Sequence, residues 1–156
     1  MLVGMPRTNR DYRPQKYYHI YNRGNNKELV LRNAEDKRLF ISLLYKNIRR
    51  TDLLLDCYCI MDNHFHLIIK IGNNPQMLSK CMQRLTVSFA MQINRKYKRV
   101  GHVFQGRYEA KILWYKKDLK QAREYIKRNP VAEGLVRRAR DYPWERIWGQ
   151  TWDRPK

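Results

Sequence analysis

The sequence predicts an α+β protein of ferredoxin-like (split βαβ) architecture, in which an antiparallel sheet carries helices on one face and a further C-terminal helix follows. The first observation is the order of predicted elements: strand, helix, strand, strand, helix, strand, and then the last helices. The second is the length of 156 residues with 43% hydrophobic residues, enough for one domain with its own core. The third is that no internal repeat or low-complexity segment divides the sequence, so we expect a single domain over residues 1–156.

The first strand and the first helix follow one another near the N-terminus. Residues 17–22 are rich in β-forming side chains and end at a turn signal containing Gly24. Asn33 has the side chain of an N-cap, and apolar residues then recur at helical spacing as far as Ile48. We therefore predict a strand, a loop and a helix over residues 34–50.

Two strands and the longest helix are predicted in the middle of the chain. Residues 53–59 and 64–70 are β-forming runs, separated by a break at residues 61–63. After a short loop, apolar residues form one stripe at helical spacing over residues 77–93. This helix is predicted to end in the basic cluster 95–99.

The last part of the sequence predicts a fourth strand and two helices. Residues 107–113 are predicted as the strand, and Asp118 begins a capping-box pattern that opens a helix. Because Pro130 disfavours the α conformation in the residue before it, this helix is expected to end near Asn129. A short helix is expected to follow, as far as about Arg140.

The two ends of the chain differ in composition from its centre. Residues 1–15 are polar and basic with two prolines, which predicts a flexible basic arm. Either Met1 or Met5 could be the true start. Residues 141–156 contain one tyrosine and three tryptophans and predict an aromatic tail.

The expected location is the cytoplasm, with nucleoid association and no membrane partner. No run of 18 apolar residues could span a membrane, and the N-terminal residues lack the apolar segment of a secretory signal. Three cysteines give no disulfide framework. We expect them to be small core residues, because a zinc site at Cys57 and Cys59 would need two more ligands.

The charge balance favours a polyanionic partner. The chain has 33 lysines and arginines against 14 acidic residues, a net charge of +19, which points to nucleic acid. A basic amphipathic helix at an acidic membrane is less consistent, because the basic residues are spread along the whole chain. Basic clusters would hold backbone phosphates, and aromatic side chains would stack on unpaired bases. The candidate DNA-binding residues are Arg23, Arg95, Lys96, Lys98, Arg99, Arg107, Lys116 and Lys117.

Two of the four histidines lie two residues apart in the third predicted strand. Side chains alternate across a strand, so His64 and His66 point to one face and Phe65 to the other, toward the core. Two such imidazoles can converge on one divalent ion, although two polar residues on a solvated face produce the same pattern. His19 and His102 are weaker candidates.

A tyrosine and an asparagine share one face of the helix that follows the fourth strand. Tyr125 and Asn129 are four residues apart, which places one above the other. A packed tyrosine and a helix-ending asparagine explain the same spacing. Tyr115 is the nearest competitor for a functional role.

Several stretches of the sequence resemble the single-tyrosine transposases of the IS200-like class, and most closely the REP-associated tyrosine transposases. In sequence order they are YHIYNRGN (residues 18–25), MDNHFHLI (residues 61–68), GHVFQGRY (residues 101–108) and YIKRNPV (residues 125–131) followed by GLV (residues 134–136). Each motif is loose alone, but all of them in this order are specific. The resemblance extends from about residue 17 to residue 148.

The resemblance implies a metal-dependent nuclease site. His64-Phe65-His66 satisfies the family's HUH motif, in which two histidines flank a hydrophobic residue. Tyr125 occupies the position of the nucleophile, and Asn129 that of the amide that completes a site for Mg²⁺ or Mn²⁺. The implied activity is cleavage and strand transfer without ATP, through a 5′-phosphotyrosine. The implied substrate is single-stranded DNA with a hairpin, such as a REP-like palindrome, and the protein would act as a monomer or homodimer.

Two other functions remain open from the sequence. A non-catalytic single-stranded nucleic-acid-binding module of RRM-like fold would use the same kind of sheet, with aromatic residues exposed for bases. A replication or mobilisation nickase of the wider HUH group would share the chemistry, but such enzymes are usually larger.

Overall fold

A computed structural model describes residues 10–148, which contain one sheet and three α-helices. The strands are β1 (Tyr17–Arg23), β2 (Leu54–Ile60), β3 (His64–Lys70), β4 (Glu109–Leu113) and β5 (Glu145–Ile147). The α-helices are α1 (Ala34–Ile48), α2 (Gln76–Lys96) and α3 (Lys116–Ala132), with short 3₁₀ helices at Asn25–Lys27 and Ala139–Asp141. Within this described part, every helix is too short or too polar to cross a membrane.

The sheet has the strand order β4-β1-β3-β2-β5, and all neighbouring strands are antiparallel. The first four strands therefore have the arrangement of a split βαβ fold, which confirms the predicted architecture. The three-residue strand β5 was not predicted. It pairs with the outer edge of β2 and begins inside the predicted aromatic tail.

The two faces of the sheet are covered by different helices. On one face, α1 and α2 close a hydrophobic core that includes Phe40, Phe65 and Phe89. On the other face, Ala122 and Ile126 of α3 pack on a smaller apolar cluster. This is the arrangement that the sequence predicts, with helices on one face of the sheet and the C-terminal helix separate from them. Polar side chains of the strands that could form a site therefore lie on the sheet face that carries α3.

The ends of α1 show how the sequence sets local structure. The predicted N-cap is confirmed, because the side chain of Asn33 accepts a hydrogen bond of 3.0 Å from the Asp36 N–H. The helix ends at Ile48, two residues before the predicted end. The buried Lys37 bonds to Asp62 at 2.6 Å, which ties α1 to the turn that precedes β3.

The predicted start of the last helix is wrong. Asp118 is the third residue of α3 and not its N-cap. It accepts a hydrogen bond of 3.0 Å from the Tyr115 N–H, so Tyr115 is the N-cap and the helix begins at Lys116.

The predicted end of this helix, near Asn129, is also wrong. The helix continues through Pro130, because a proline in the last turn removes only one backbone hydrogen bond. The stop signal is Gly134, whose φ of 73° allows the Leu135 N–H to bond to the Pro130 carbonyl at 2.9 Å in a Schellman motif. The short helix expected as far as Arg140 is reduced to the 3₁₀ helix at Ala139–Asp141.

Part of the predicted basic arm packs against the fold within the described residues. Tyr12 is buried, and its hydroxyl lies 2.9 Å from the hydroxyl of Tyr108. The guanidinium of Arg10 stacks over the Tyr108 ring at 4.1 Å. Burial of the Tyr12 ring orders residues 10–15, whereas residues 1–9 and the tail residues 149–156 lie outside the described part of the chain.

An ion pair fixes α3 over the sheet. The register of β2 against β3 shifts between Leu55 and Cys57, and Asp56 lies at this irregularity with its carboxylate buried. Arg123 of α3 makes two hydrogen bonds to this carboxylate, of which the one from Nε measures 2.8 Å. A bidentate pair of this kind specifies orientation as well as position.

Replacement of Arg123 tests this anchor. We expect Arg123→Ala to lower the free energy of unfolding by about 2–3 kcal/mol, because Asp56 would stay buried without its partner. Urea denaturation would measure the change. The matched control is Arg138→Ala, which breaks an exposed pair with Asp141 and should cost less than about 0.5 kcal/mol. Equal losses in the two variants would contradict an anchoring role.

Candidate active site

A cleft of about 500 Å³ lies between the sheet and α3. Its floor is formed by side chains of β1, β3 and β4, and its wall by the first turns of α3. Tyr21 of β1 lies opposite His66 of β3, so these two side chains are neighbours on the floor of the cleft. The residues that line the cleft and carry polar or aromatic groups are His19, Tyr21, His66, Lys111, Trp114, Asp118, Gln121 and Tyr125.

The structure brings together the four residues singled out from the sequence. His64 and His66 lie on the α3 side of β3, with ring centroids 5.1 Å apart. Nε2 of His64 is 3.1 Å from Oδ1 of Asn129, and the His66 ring centroid is 5.6 Å from that of Tyr125. Phe65 packs in the core on the opposite face. The alternation along β3 and the four-residue spacing along α3 therefore bring these four side chains together.

Hydrogen-bond acceptors converge on Nε2 of His64. Nδ1 of His64 lies 2.7 Å from Oδ1 of Asn63, and Nε2 lies 3.1 Å from Oδ1 of Asn129 and 3.7 Å from Oε1 of Glu133. In the tautomer with the hydrogen on Nδ1, that nitrogen donates to Asn63 and Nε2 keeps a lone pair. A metal ion between this lone pair and the two oxygens would then satisfy all three acceptors. Neighbouring ligands on an octahedral ion with bonds of about 2.1 Å are about 3 Å apart, which matches the distance from Nε2 to Oδ1 of Asn129.

A third histidine belongs to this group. Nε2 of His19 is 3.0 Å from Nδ1 of His66, and the His19 ring centroid lies 6.0 Å from that of Tyr125. The sequence made His19 only a weaker candidate, because the contact joins residues 47 positions apart. His102, the other weak candidate, is exposed and has no such contact among the described residues.

The buried imidazole of His66 and the half-buried imidazole of His19 are neutral near neutral pH. Burial, and then the proximity of His19 and His64, lowers the pKa of His66 to about 3. Burial, and then the positive charge of Lys111, lowers the pKa of His19 to about 4. Neutral imidazole is the form that binds metal ions.

Tyr125 is the reactive side chain that a substrate could reach. It lies on the cleft side of α3 and is 55% exposed, whereas the histidines beside it are buried. Tyr115, its competitor from the sequence, is the N-cap of the same helix and lies ten residues, or about 15 Å, away along the axis. The geometry therefore favours Tyr125.

The predicted phosphate-binding cluster at residues 95–99 lies away from this site. It spans the C-terminal end of α2, on the layer across the sheet from α3. Lys96 bonds to two carboxylates of α1 at 2.8 Å, and Arg99 pairs with Glu28. Three basic residues of the cluster, Arg95, Lys96 and Lys98, are exposed.

Other predicted DNA-binding residues lie on the strands and helix that form the cleft. Lys116 and Lys117 are exposed at the start of α3, and Arg107 is exposed just before β4. Arg23, at the end of β1, donates two hydrogen bonds to Gln105. Basic residues that the sequence analysis did not single out lie near Tyr125 and the cleft: Lys111, Lys120 and Arg128.

The cysteines do not contribute a metal site. Cys57, Cys59 and Cys81 are buried with free thiols, which agrees with the expected core role. Burial raises the pKa of each thiol. Within residues 10–148, no three His, Cys, Asp or Glu side chains converge as a metal ion would require. A metal ion at the cleft would therefore depend on the amide of Asn129 as well as on the histidines.

The model of the family described as "Transposase IS200 like" matches residues 13–129. The chain belongs to the IS200-like transposase family. A Haemophilus influenzae protein described as a REP-associated tyrosine transposase is 27% identical over 95 residues. The match covers 55% of this chain and 54% of the relative, so the chain aligns with about half the length of that protein.

Two solved structures share the fold of this IS200-like family member. A REP-associated tyrosine transposase bound to a REP hairpin superposes with a TM-score of 0.74 at 18% identity, over 90% of this chain and 82% of that chain. A Deinococcus radiodurans protein described as a transposase gives a TM-score of 0.53 at 19% identity, over 76% and 94% of the two chains. At these identities the likeness establishes the fold.

A partly buried carboxyl group lies on β5, two strands from His66, in this IS200-like protein. Glu145 of β5 is opposite Cys59 of β2, and its Oε2 is buried without a hydrogen-bond partner among the described residues. Burial raises its pKa to about 7, and the positive charge of Lys127 opposes that shift. The folded state therefore keeps this proton up to a pH of about 7, whereas the unfolded chain releases it near pH 4.5, so stability is lost as the pH rises from about 4.5 to 7.

Replacement of this carboxyl group tests the effect. We expect Glu145→Gln to raise the free energy of unfolding by about 1–2 kcal/mol at pH 8 and to leave it unchanged at pH 4.5. Chemical denaturation at both pH values measures the difference. Glu124→Gln, at an exposed position on α3, is the control and should have no such pH dependence. A pH-independent effect of Glu145→Gln would exclude a buried, titrating carboxyl group.

Proposed function

We propose that this chain is a metal-dependent single-stranded DNA endonuclease and strand transferase that acts through a 5′-phosphotyrosine at Tyr125. The observation that carries the proposal is the convergence of acceptors from His64 and Asn129 beside the exposed Tyr125. This arrangement would pair the proposed cation site with a hydroxyl nucleophile, which is what transfer of a phosphodiester needs. Membership of the IS200-like transposase family supports the same reaction class.

The proposed substrate is single-stranded DNA next to a hairpin, such as a REP-like palindrome. A structural neighbour of the same fold is described as bound to a REP hairpin. The net charge of +19 and the exposed lysines near the cleft fit a polyanionic substrate. The alternative, a non-catalytic RRM-like binder, would hold the same DNA without forming a covalent bond to it.

The proposed metal ligands are His64, His66 and Asn129, with Mg²⁺ or Mn²⁺ as the metal. Imidazole nitrogens and an amide oxygen are a donor set that these ions accept. With its hydrogen on Nδ1, His66 would donate to Nε2 of His19, 3.0 Å away, and would keep Nε2 for the ion. When bound, the ion would supply Lewis-acid charge to the scissile phosphate.

The proposed step exchanges one phosphodiester for another. The hydroxyl oxygen of Tyr125 attacks the phosphorus in line, the bond from phosphorus to the 3′ oxygen breaks, and the leaving oxygen gains a proton. The tyrosine proton is lost to solvent or to a neighbouring base. Since the number of phosphodiester bonds is unchanged, no ATP is needed and the reverse step rejoins the strand.

The proposed site is complete within one chain. Tyr125 and Asn129 of α3 lie beside the histidines of the same chain's β3. This geometry supports activity as a monomer, although a homodimer could contain two such sites. Size-exclusion chromatography with cleavage assays on the fractions would assign the active species.

The nucleophile is tested with a single-stranded hairpin substrate and Mn²⁺. We expect Tyr125→Phe to form no covalent protein–DNA adduct on a denaturing gel, because the attacking oxygen is absent. Tyr115→Phe, an exposed tyrosine of the same helix region, should form the adduct at the rate of the unmodified protein. An adduct with Tyr125→Phe would assign the nucleophile elsewhere, and no adduct with any form of the protein would support the non-catalytic alternative.

The metal site is tested by separating cleavage from binding. We expect His64→Ala, or removal of metal with EDTA, to reduce the cleavage rate about 100-fold or more while hairpin affinity changes less than about threefold. His102→Ala, an exposed histidine, is the control and should cleave normally. Parallel loss of binding and cleavage in His64→Ala would mean that His64 serves docking or folding and not the proposed metal ion.

A further inference from the structure

Trp114 is a large aromatic side chain left outside the hydrophobic core. It follows the last residue of β4 and is 47% exposed. Trp144 and Trp148 pack against the core, whereas Trp114 belongs to neither cluster of the described residues. Its ring therefore adds little to the stability of the fold.

Two cationic side chains are held against the Trp114 ring. The guanidinium carbon of Arg13 lies 5.3 Å from the ring centroid, and Nζ of Lys16 lies 5.6 Å from it. Both come from the segment that precedes β1. This segment is fixed in place, since the Arg13 N–H donates a hydrogen bond of 2.8 Å to the Tyr18 hydroxyl. Trp114 and the two cations are thus preorganised in the folded chain.

Trp114 forms the boundary between two depressions of the surface. It lines the cleft that contains His66 and Tyr125, and it also lines a second depression of about 320 Å³ that includes Arg13. A polymer bound at Tyr125 and continuing along the cleft would pass over the indole ring. It would then reach the positive charges of the N-terminal segment.

We propose that Trp114, Arg13 and Lys16 form a subsite for one unpaired nucleotide of the strand that flanks the scissile phosphate. The indole ring stacks on the base, and the two cations bind the adjacent backbone phosphate. An aromatic face beside cations is the arrangement that holds single-stranded nucleic acid without reading its sequence, so little base preference is expected. The proposal rests on the function proposed for the Tyr125 site, because it extends that site's DNA path.

Binding is measured by fluorescence anisotropy in EDTA, with the full chain and labelled oligonucleotides. The probes are a blunt hairpin and the same hairpin with a single-stranded extension of about ten nucleotides on one side of the stem or the other. We expect Trp114→Ala to weaken binding of at least one extended hairpin about tenfold and binding of the blunt hairpin less than twofold. Trp114→Phe should retain most of the affinity, because a phenyl ring also stacks.

Two further variants sharpen the test. The double variant Arg13→Gln with Lys16→Gln should reduce the slope of log affinity against log salt by about 1.4 for the same extended hairpin, as expected for two lost contacts to single-stranded phosphate. Met91→Ala, an exposed apolar position on α2, is the matched control and should change no affinity. Thermal melting should be nearly the same for Trp114→Ala and the unmodified chain, since the ring lies outside the core.

The outcomes separate this subsite from the function proposed above. Equal losses on blunt and extended hairpins, no loss on any, or no preference of the unmodified chain for an extension would each overturn the subsite. If the extension-specific loss is found but the unmodified chain forms no adduct with Mn²⁺, the subsite stands and the nuclease proposal fails. If the adduct forms without the extension-specific loss, only the subsite fails.

Discussion

The docking of α3 on the sheet is the constraint on which the rest of the site depends. The strands alone present three histidines, but the tyrosine and the amide reach them only because Ala122 and Ile126 pack on the sheet and Arg123 bonds to Asp56. A shift of α3 along its axis by one helical turn would displace Asn129 by about 5.4 Å relative to His64. The bulge in β2 that presents Asp56 is therefore as important for the site geometry as the histidines are.

The features that follow local rules could be predicted from the sequence. Alternation along β3 placed His64 and His66 on one face, and the order of strands and helices predicted the sheet arrangement. Features that depend on long-range partners could not be predicted. The strand β5 has three residues and exists because the edge of β2 pairs with it, and His19 joins the site only through the pairing of β1 with β3.

The same limit explains the errors at the ends of α3. The sequence makes Pro130 the expected stop, but the residue that ends the helix is Gly134, where a positive φ is needed. The prediction of a phosphate-binding patch at residues 95–99 rests on charge counts, which do not show partners. In the folded chain, carboxylates from α1 and from Glu28 neutralise part of it. Local sequence gives the charge of a residue, and the fold determines whether that charge is available.

The positive surroundings of the cleft affect the proposed metal and the proposed DNA in opposite ways. Lys111 helps to keep the His19 imidazole beside His66 neutral, but a chain with a net charge of +19 repels a divalent cation. The carboxylate of Glu133, near His64, offsets only part of that repulsion. A phosphate bound beside Tyr125 would bring the remaining negative charge. By linkage, ion and DNA would then each raise the affinity for the other, and the cation site would be filled mainly when there is a strand to cut.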